Sequence, residues 1–195
     1  MIRQLSGPQI HPYLDDAARL RISVFREFPY LYAGDITGEL DYLKAYSDCR
    51  GSVFILASVG DKVVGVSTGL PLASADPAFQ EPFERSQEDL DEWFYFGESV
   101  LEPDWRGQGI GHQFFDGRIA AAAAAGFTKT CFCAVERPLD HPLRPDSYRT
   151  HESFWRKRGF VKQSALVARF AWTQVDSDGA EVENDLVFWT RCPTG

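Results

Sequence analysis

The chain has 195 residues, 44% hydrophobic and 25% charged, with 20 basic and 28 acidic residues giving a formal net charge of −8. That length suits a single domain over residues 1–195, large enough to bury roughly 70% of its unfolded surface without a disulfide or a metal staple. The only basic run, Arg156-Lys157-Arg158, is too short to neutralise a row of phosphates, so no nucleic-acid partner is expected.

Residues 12–28 carry Leu14, Ala17, Ala18, Ile22 and Phe25 at helical spacing, and the helix is expected to stop at Pro29. The aromatic loop Tyr30-Leu31-Tyr32 follows, then a second helix over 38–47 with Leu40, Leu43 and Tyr46 on one side. The period then changes to two: 52–59 and 62–70 read as strands of a hairpin turning at Gly60-Asp61. Residues 71–92 read as a long connection punctuated by proline, with seven acids against the single base Arg85. A buried strand is expected over 93–101, a Gly-rich turn after it, and a helix over 109–125 that ends in six alanines. Residues 129–135 read as a strand, 136–147 as a Pro-stiffened loop, and 148–158 as a helix stopped by Gly159. Two last strands, 165–175 and 186–191, are joined across Asp176-Ser177-Asp178-Gly179. The order ααββ(loop)βαβαββ is that of one mixed α/β domain. No stretch approaches ~18 consecutive apolar residues, so no membrane span is expected. The opening residues lack an apolar signal region, which leaves the cytoplasm as the expected compartment.

The chemistry concentrates between residues 94 and 125. Glu102-Pro103-Asp104-Trp105-Arg106-Gly107-Gln108-Gly109-Ile110-Gly111 places three glycines where a helix begins. The first N–H groups of a helix lack intrahelical partners and sit at the positive end of its dipole, and glycine lets a phosphate approach them closely. Arg106 can add charge-assisted hydrogen bonds. A pyrophosphate-sized anion is therefore expected here. The P-loop pattern GxxxxGK[ST] is absent. The dinucleotide pattern fails as well, because His112 and Lys129 stand where a glycine and an acid are required.

Arg106 to Gly111 resembles the R/Q-x-x-G-x-G/A signature of the GNAT superfamily of acyl-coenzyme A N-acyltransferases. Leu101 to Trp105 resembles that family's lead-in, and Phe154-Trp155-Arg156-Lys157-Arg158-Gly159-Phe160 resembles its closing helix. The resemblance covers nearly the whole chain. It implies a mixed, mostly antiparallel sheet with a V-shaped splay between two central strands. It also implies acetyl-CoA as co-substrate, lying between 93–101 and 129–135. Pantetheine would pair with backbone at Ser99, Val100 and Leu101, and an N–H near Leu101 would polarise the thioester carbonyl. Pyrophosphate would sit on Gln108, Gly109, Ile110 and Gly111, after Gly107 and beside Arg106, with Trp155 on the closing helix.

Acetylating a primary amine requires removal of a proton, because such amines are mostly protonated at neutral pH. Glu98 is the candidate base; period two puts it on the face of Phe94, Phe96 and Val100, where desolvation would raise its proton affinity. The family's usual acid is a tyrosine, but Trp155 stands there and is no practical acid. Tyr148, two turns earlier on the expected helix, is the alternative acid. His112, His141 and His151 read as packing or rim residues. Cys131 and Cys133 sit two apart on a strand, and with His141 they match no standard zinc spacing, so no metal is expected. Tyr30 and Tyr32 are candidate acceptor-binding residues and suggest a small organic or amino-acid-like amine, while the acidic 71–92 segment reads either as a solvated loop or as an attractor for a cationic acceptor. An acyl-CoA-binding sensor without turnover is the alternative function. A monomer or homodimer fits either reading.

Overall fold

A computed structural model describes residues 1–193. Seven strands form one sheet: β1 (Ile2–Leu5), β2 (Val53–Val59), β3 (Lys62–Pro71), β4 (Trp93–Leu101), β5 (Lys129–Val135), β6 (Val161–Thr173) and β7 (Glu181–Arg191). Their spatial order is β1-β2-β3-β4-β5-β7-β6. Every neighbouring pair is antiparallel except β4 and β5, which run parallel. A parallel pair needs a crossover, and here it is the helix α4 (Ile110–Ala124).

The other helices are α1 (Leu14–Phe25), α2 (Ile36–Asp48), α3 (Pro77–Arg85) and α5 (Glu152–Lys157). The strand faces alternate between two cores. Phe54, Leu56, Val66, Tyr95 and Phe188 pack with Ala17 and Ala18 of α1, Leu43 and Tyr46 of α2, and Phe79 and Phe83 of α3. Val53, Ile55, Phe94, Phe96 and Trp189 pack with Phe114, Phe115 and Ala122 of α4 on the opposite face. Burying each of those phenylalanines contributes roughly 1.5–3 kcal/mol. The small face of α4 sets its distance: a Cβ on Gly117 would fall 2.8 Å from Ile55 Cδ1. The alanine-rich helix thus approaches the sheet closely through Gly117 and Ala122.

Several expected boundaries move. The first helix spans residues 14–25 rather than 12–28, because a 3-10 segment, Gly7–Tyr13, leads into it. The acidic connection contains α3: Asp76 accepts from the Ala78 N–H as its cap, and Pro77 takes the first helical position, where a missing N–H costs nothing. The expected helix 148–158 shrinks to Glu152–Lys157, and Tyr148 lies in the preceding turn, donating its N–H to the Pro145 carbonyl. The last two strands begin earlier than expected, at Val161 and Glu181. β1, a four-residue edge strand paired to β2, was not anticipated from the sequence.

The parallel pairing of β4 with β5 covers three positions, Trp93 with Lys129, Phe94 with Thr130 and Tyr95 with Cys131. Beyond Tyr95 the two strands part. This is the expected V.

Candidate active site

β4 carries a β-bulge where it leaves β5. Against β3, Ser99 pairs with Ser67 and Phe96 with Gly69, so Gly97 and Glu98 together oppose Thr68 alone. An extra residue reverses the alternation that follows. The expectation that Glu98 shares a face with Phe94 and Phe96 is therefore corrected: Glu98 turns to the side of Tyr95 and Val100, towards α1 and α2. Gly97 permits this, since a Cβ there would lie 2.2 Å from the Tyr46 hydroxyl and 2.6 Å from the Thr68 hydroxyl.

The bulge is held from behind. Arg118 of α4, 2% exposed, donates from Nη1 to the Glu98 carbonyl at 3.2 Å and lies within 3.5 Å of the Thr68 carbonyl. Its guanidinium sits 4.4 Å from the Phe96 ring centroid and 4.7 Å from that of Phe115. Burial pushes it down to about 9, with Glu98 opposing.

On the front face Glu98 is 5% exposed. Its Oε2 lies 2.7 Å from Arg21 Nη1, yet neither carboxylate oxygen accepts a well-directed hydrogen bond. Burial raises its proton affinity, Arg21 pulls it back, and the nearby Glu39 adds to the rise. Arg21 also pairs through Nε with Glu39, 1% exposed, and lies against the rings of Phe25 and Tyr42. Burial opposes the Arg21 charge, but Glu98, Tyr42 and Glu39 outweigh it and keep the guanidinium protonated.

These groups line a cavity of about 360 Å³. Its walls are largely aromatic: Phe25, Tyr30, Tyr42, Phe79, Phe170 and Trp172. The expected acceptor loop supplies Tyr30 and Tyr32, and it is firmly tied. Arg137 donates to the Pro29 and Tyr30 carbonyls at 2.8 and 3.2 Å, Trp172 Nε1 donates to the Tyr30 carbonyl at 3.1 Å, and Tyr32 bridges to Gln174. The buried Leu31 between the two tyrosines takes φ 55°, a left-handed conformation that this network sustains. The acidic 71–92 segment reaches the cavity through Phe79; the lining acids are Asp35, Glu39, Glu98 and Glu181. Cys133 also faces it, hydrogen bonded to the Tyr95 hydroxyl at 3.2 Å, and burial pushes its thiol up to about 12. A thiol so protonated is a poor nucleophile.

The glycine turn lies at the far end of β4. Gly107 and Gly109 take positive φ of 75° and 81°, with Gly109 as the N-cap of α4. A Cβ on Gly107, Gly109 or Gly111 would meet nothing within 4 Å. Among the described residues, the N–H groups from Gly107 to Gly111 have no acceptor, Gln108 included. Arg106 donates from Nε to the Leu101 carbonyl at 3.1 Å and pairs with Glu27 at 2.9 Å, bridging the strand end to the residues after α1. Ser99 is hydrogen bonded to Ser67 at 3.0 Å, Val100 is buried, and Ile110 packs into the core beneath the turn.

A second cavity of about 230 Å³ opens beside β5, with Tyr148, His151, Trp155 and Arg137 among its walls. Tyr148 meets Phe28 edge-on at 4.7 Å, and Trp155 packs on Phe132 and Trp189. Burial raises the Tyr148 phenol, with Arg144 opposing, and lowers His151. Glu98 and Tyr148 thus line separate cavities rather than one.

No protein-family model matches the chain, and no curated protein matches it. Solved structures do. A ribosomal-protein-alanine N-acetyltransferase from Brucella melitensis superposes with a TM-score of 0.59 over 99% of both chains at 16% identity. Acetyltransferases of the GNAT family from Staphylococcus aureus Mu50 and Streptococcus pneumoniae give 0.57 and 0.59 over 98% of both chains, each at 16% identity. The chain has the GNAT acetyltransferase fold. Of the residues expected at the site, Glu98, Tyr30 and Tyr32 line one cavity, and the glycine turn lies apart from them at the end of β4. Arg21, Glu39 and Arg118, which the structure gathers around Glu98, were not expected there. Each is a charged residue at a core-facing helical position, Glu39 being in register with Leu43 and Tyr46, and that misplacement was the available signal. No helix among the described residues is long and apolar enough to cross a membrane.

Proposed function

We propose that the chain belongs to the GNAT superfamily and transfers an acetyl group from acetyl-CoA to the primary amine of a small molecule, with Glu98 as general base. The observation that carries this reading is the buried Glu98 carboxylate, free of directed hydrogen bonds and turned by the bulge into an aromatic cavity beside the split between β4 and β5. A carboxylate raised by burial holds a proton more readily, which a base for an ammonium requires.

The glycine turn suits the pyrophosphate of the acyl donor. Among the described residues five successive N–H groups lack protein acceptors, there is open space where a Cβ would stand, and the helix N-terminus favours negative charge. Gln108 to Gly111 would hold the phosphates, with Arg106 beside them and Ser99 to Leu101 along the pantetheine. Acetyl-CoA supplies an activated acyl carbon. Glu98 takes a proton from the acceptor ammonium, and the freed nitrogen lone pair forms the N–C bond as the C–S bond breaks. The sulfur keeps the electron pair and takes a proton from the Tyr148 phenol, which burial holds in its protonated form, and the second proton on the acylated nitrogen passes through water to the Tyr148 phenolate, leaving a neutral amide and a restored phenol.

The test is the thermal midpoint with and without 1 mM acetyl-CoA, with thiol release followed in parallel. For a dissociation constant near ~10 μM, linkage gives about 2.7 kcal/mol, a rise of roughly 5–10 °C for a domain of this size. Gly109→Ala puts a side chain into the proposed phosphate site at a left-handed position, and it should abolish most of that rise. No rise in the unmodified protein rejects the reading; a rise without thiol release for any amine makes the chain an acyl-CoA sensor instead.

A further inference from the structure

The large cavity has a chemical bias that narrows its ligand. Burial raises Tyr30, Tyr32 and Tyr42 above the ordinary tyrosine value, so all three remain neutral phenols. The charged groups lining the cavity are then Asp35, Glu39, Glu98 and Glu181 against a single cation, Arg21. That cation is already engaged, paired with both Glu39 and Glu98 and flanked by the rings of Phe25 and Tyr42. Asp35 is fixed in place by the Thr37 and Gly38 N–H groups, which it caps at 2.9 and 3.1 Å. Glu98 lines the same space with its buried carboxylate, whose Oε2 lies 2.7 Å from Arg21 Nη1.

We infer that the acceptor is a small primary amine with a flat aromatic body and no carboxylate. This rests on the acyltransferase reading and goes beyond it. The ammonium is drawn by the carboxylates and by the faces of the surrounding rings. The body lies among Phe25, Tyr30, Phe79, Phe170 and Trp172. A carboxylate beside the amine would find only Arg21, with Glu39 and Glu98 already at that guanidinium, and juxtaposed like charges oppose binding. A volume of about 360 Å³ lies at the small end of small-molecule sites, which run roughly 300–1,000 Å³.

The experiment is equilibrium titration of the full chain, at saturating coenzyme A, with two matched pairs: phenethylamine against phenylalanine, and tyramine against tyrosine. Members of each pair differ only in the carboxylate. Each amine should bind about tenfold or more tightly than its amino acid. Equal affinities, tighter binding of the amino acids, or no binding of either amine would overturn the inference. The acetyl-CoA thermal shift separates the two levels. A rise with acetyl-CoA and no amine preference removes the acceptor assignment and leaves the transferase reading; amine preference without that rise removes the transferase reading, and the acceptor role with it, and leaves only an amine-binding cavity.

Discussion

Burial lifts the proton affinity of Glu98 while Arg21 pulls it down, so the carboxylate titrates above its ordinary range and a pH profile can see it. An unperturbed glutamate titrates near ~4.3. The rising limb of kcat/KM should lie above that value and vanish in Glu98→Gln, with kcat lower by roughly 10²- to 10⁴-fold. Tyr148→Phe should keep the limb and lose roughly tenfold in kcat. Stability gives a second readout whose sign is fixed. Because the folded-state value is raised, the contribution of Glu98 to stability is present below the unfolded value and lost as pH rises through the folded one. The Glu98→Gln protein should therefore match the unmodified thermal midpoint near pH 4 and equal or exceed it at pH 8. A midpoint lowered by the substitution at pH 8 would show that the ion pair with Arg21 outweighs desolvation.

At the scale of elements, the bulge in β4 and the helix α4 act together. Arg118 is a buried cation whose partners are carbonyls and ring faces, with no carboxylate in contact among the described residues. Replacing such a charge by an apolar side chain of similar length is often neutral or stabilising. The Glu98 carbonyl it leaves behind, however, is no longer pinned, and a shift of about 1 Å in a reacting group can cost on the order of 100-fold in rate. Arg118→Met should thus lower kcat by roughly 10- to 100-fold, while the midpoint moves little and the acetyl-CoA-induced rise persists. A large loss of stability with unchanged kcat would assign Arg118 to packing alone. Gly97 is the sequence mark of this device, since an isolated glycine within a strand pattern signals a bulge. Without the bulge, strict alternation assigns Glu98 to the wrong face.

Across the whole molecule, what could be read from the sequence followed the strength of local pattern. β4 and β5 fall at the expected residues because their apolar runs end at sharp turn signals. The glycine turn was legible for the same local reason, as backbone conformation at Gly107 and Gly109 depends on residue type. α3 was hidden because Pro77 and Pro82 read as breakers, although Pro77 takes a position where proline is favoured. Tyr148 was misplaced because Pro145 leads into a turn, and the helix forms only seven residues later, at Glu152. The Arg21 cluster is assembled from α1, α2 and β4, so no window of sequence contains it.

The short ladder between β4 and β5 also sets how the molecule breathes. Three paired positions are all that join the four strands on one side of the sheet to the three on the other, so the interface behaves as a seam between two half-sheets. Amide protons that face the gap beyond Tyr95 and Cys131 lack a partner strand and should exchange with deuterium faster than those on the β3 and β7 sides. A ligand bridging the seam would supply the missing acceptors. Slowed exchange confined to Glu98–Leu101 and Cys133–Val135 on adding coenzyme A would then identify the ligand as the eighth element of the sheet.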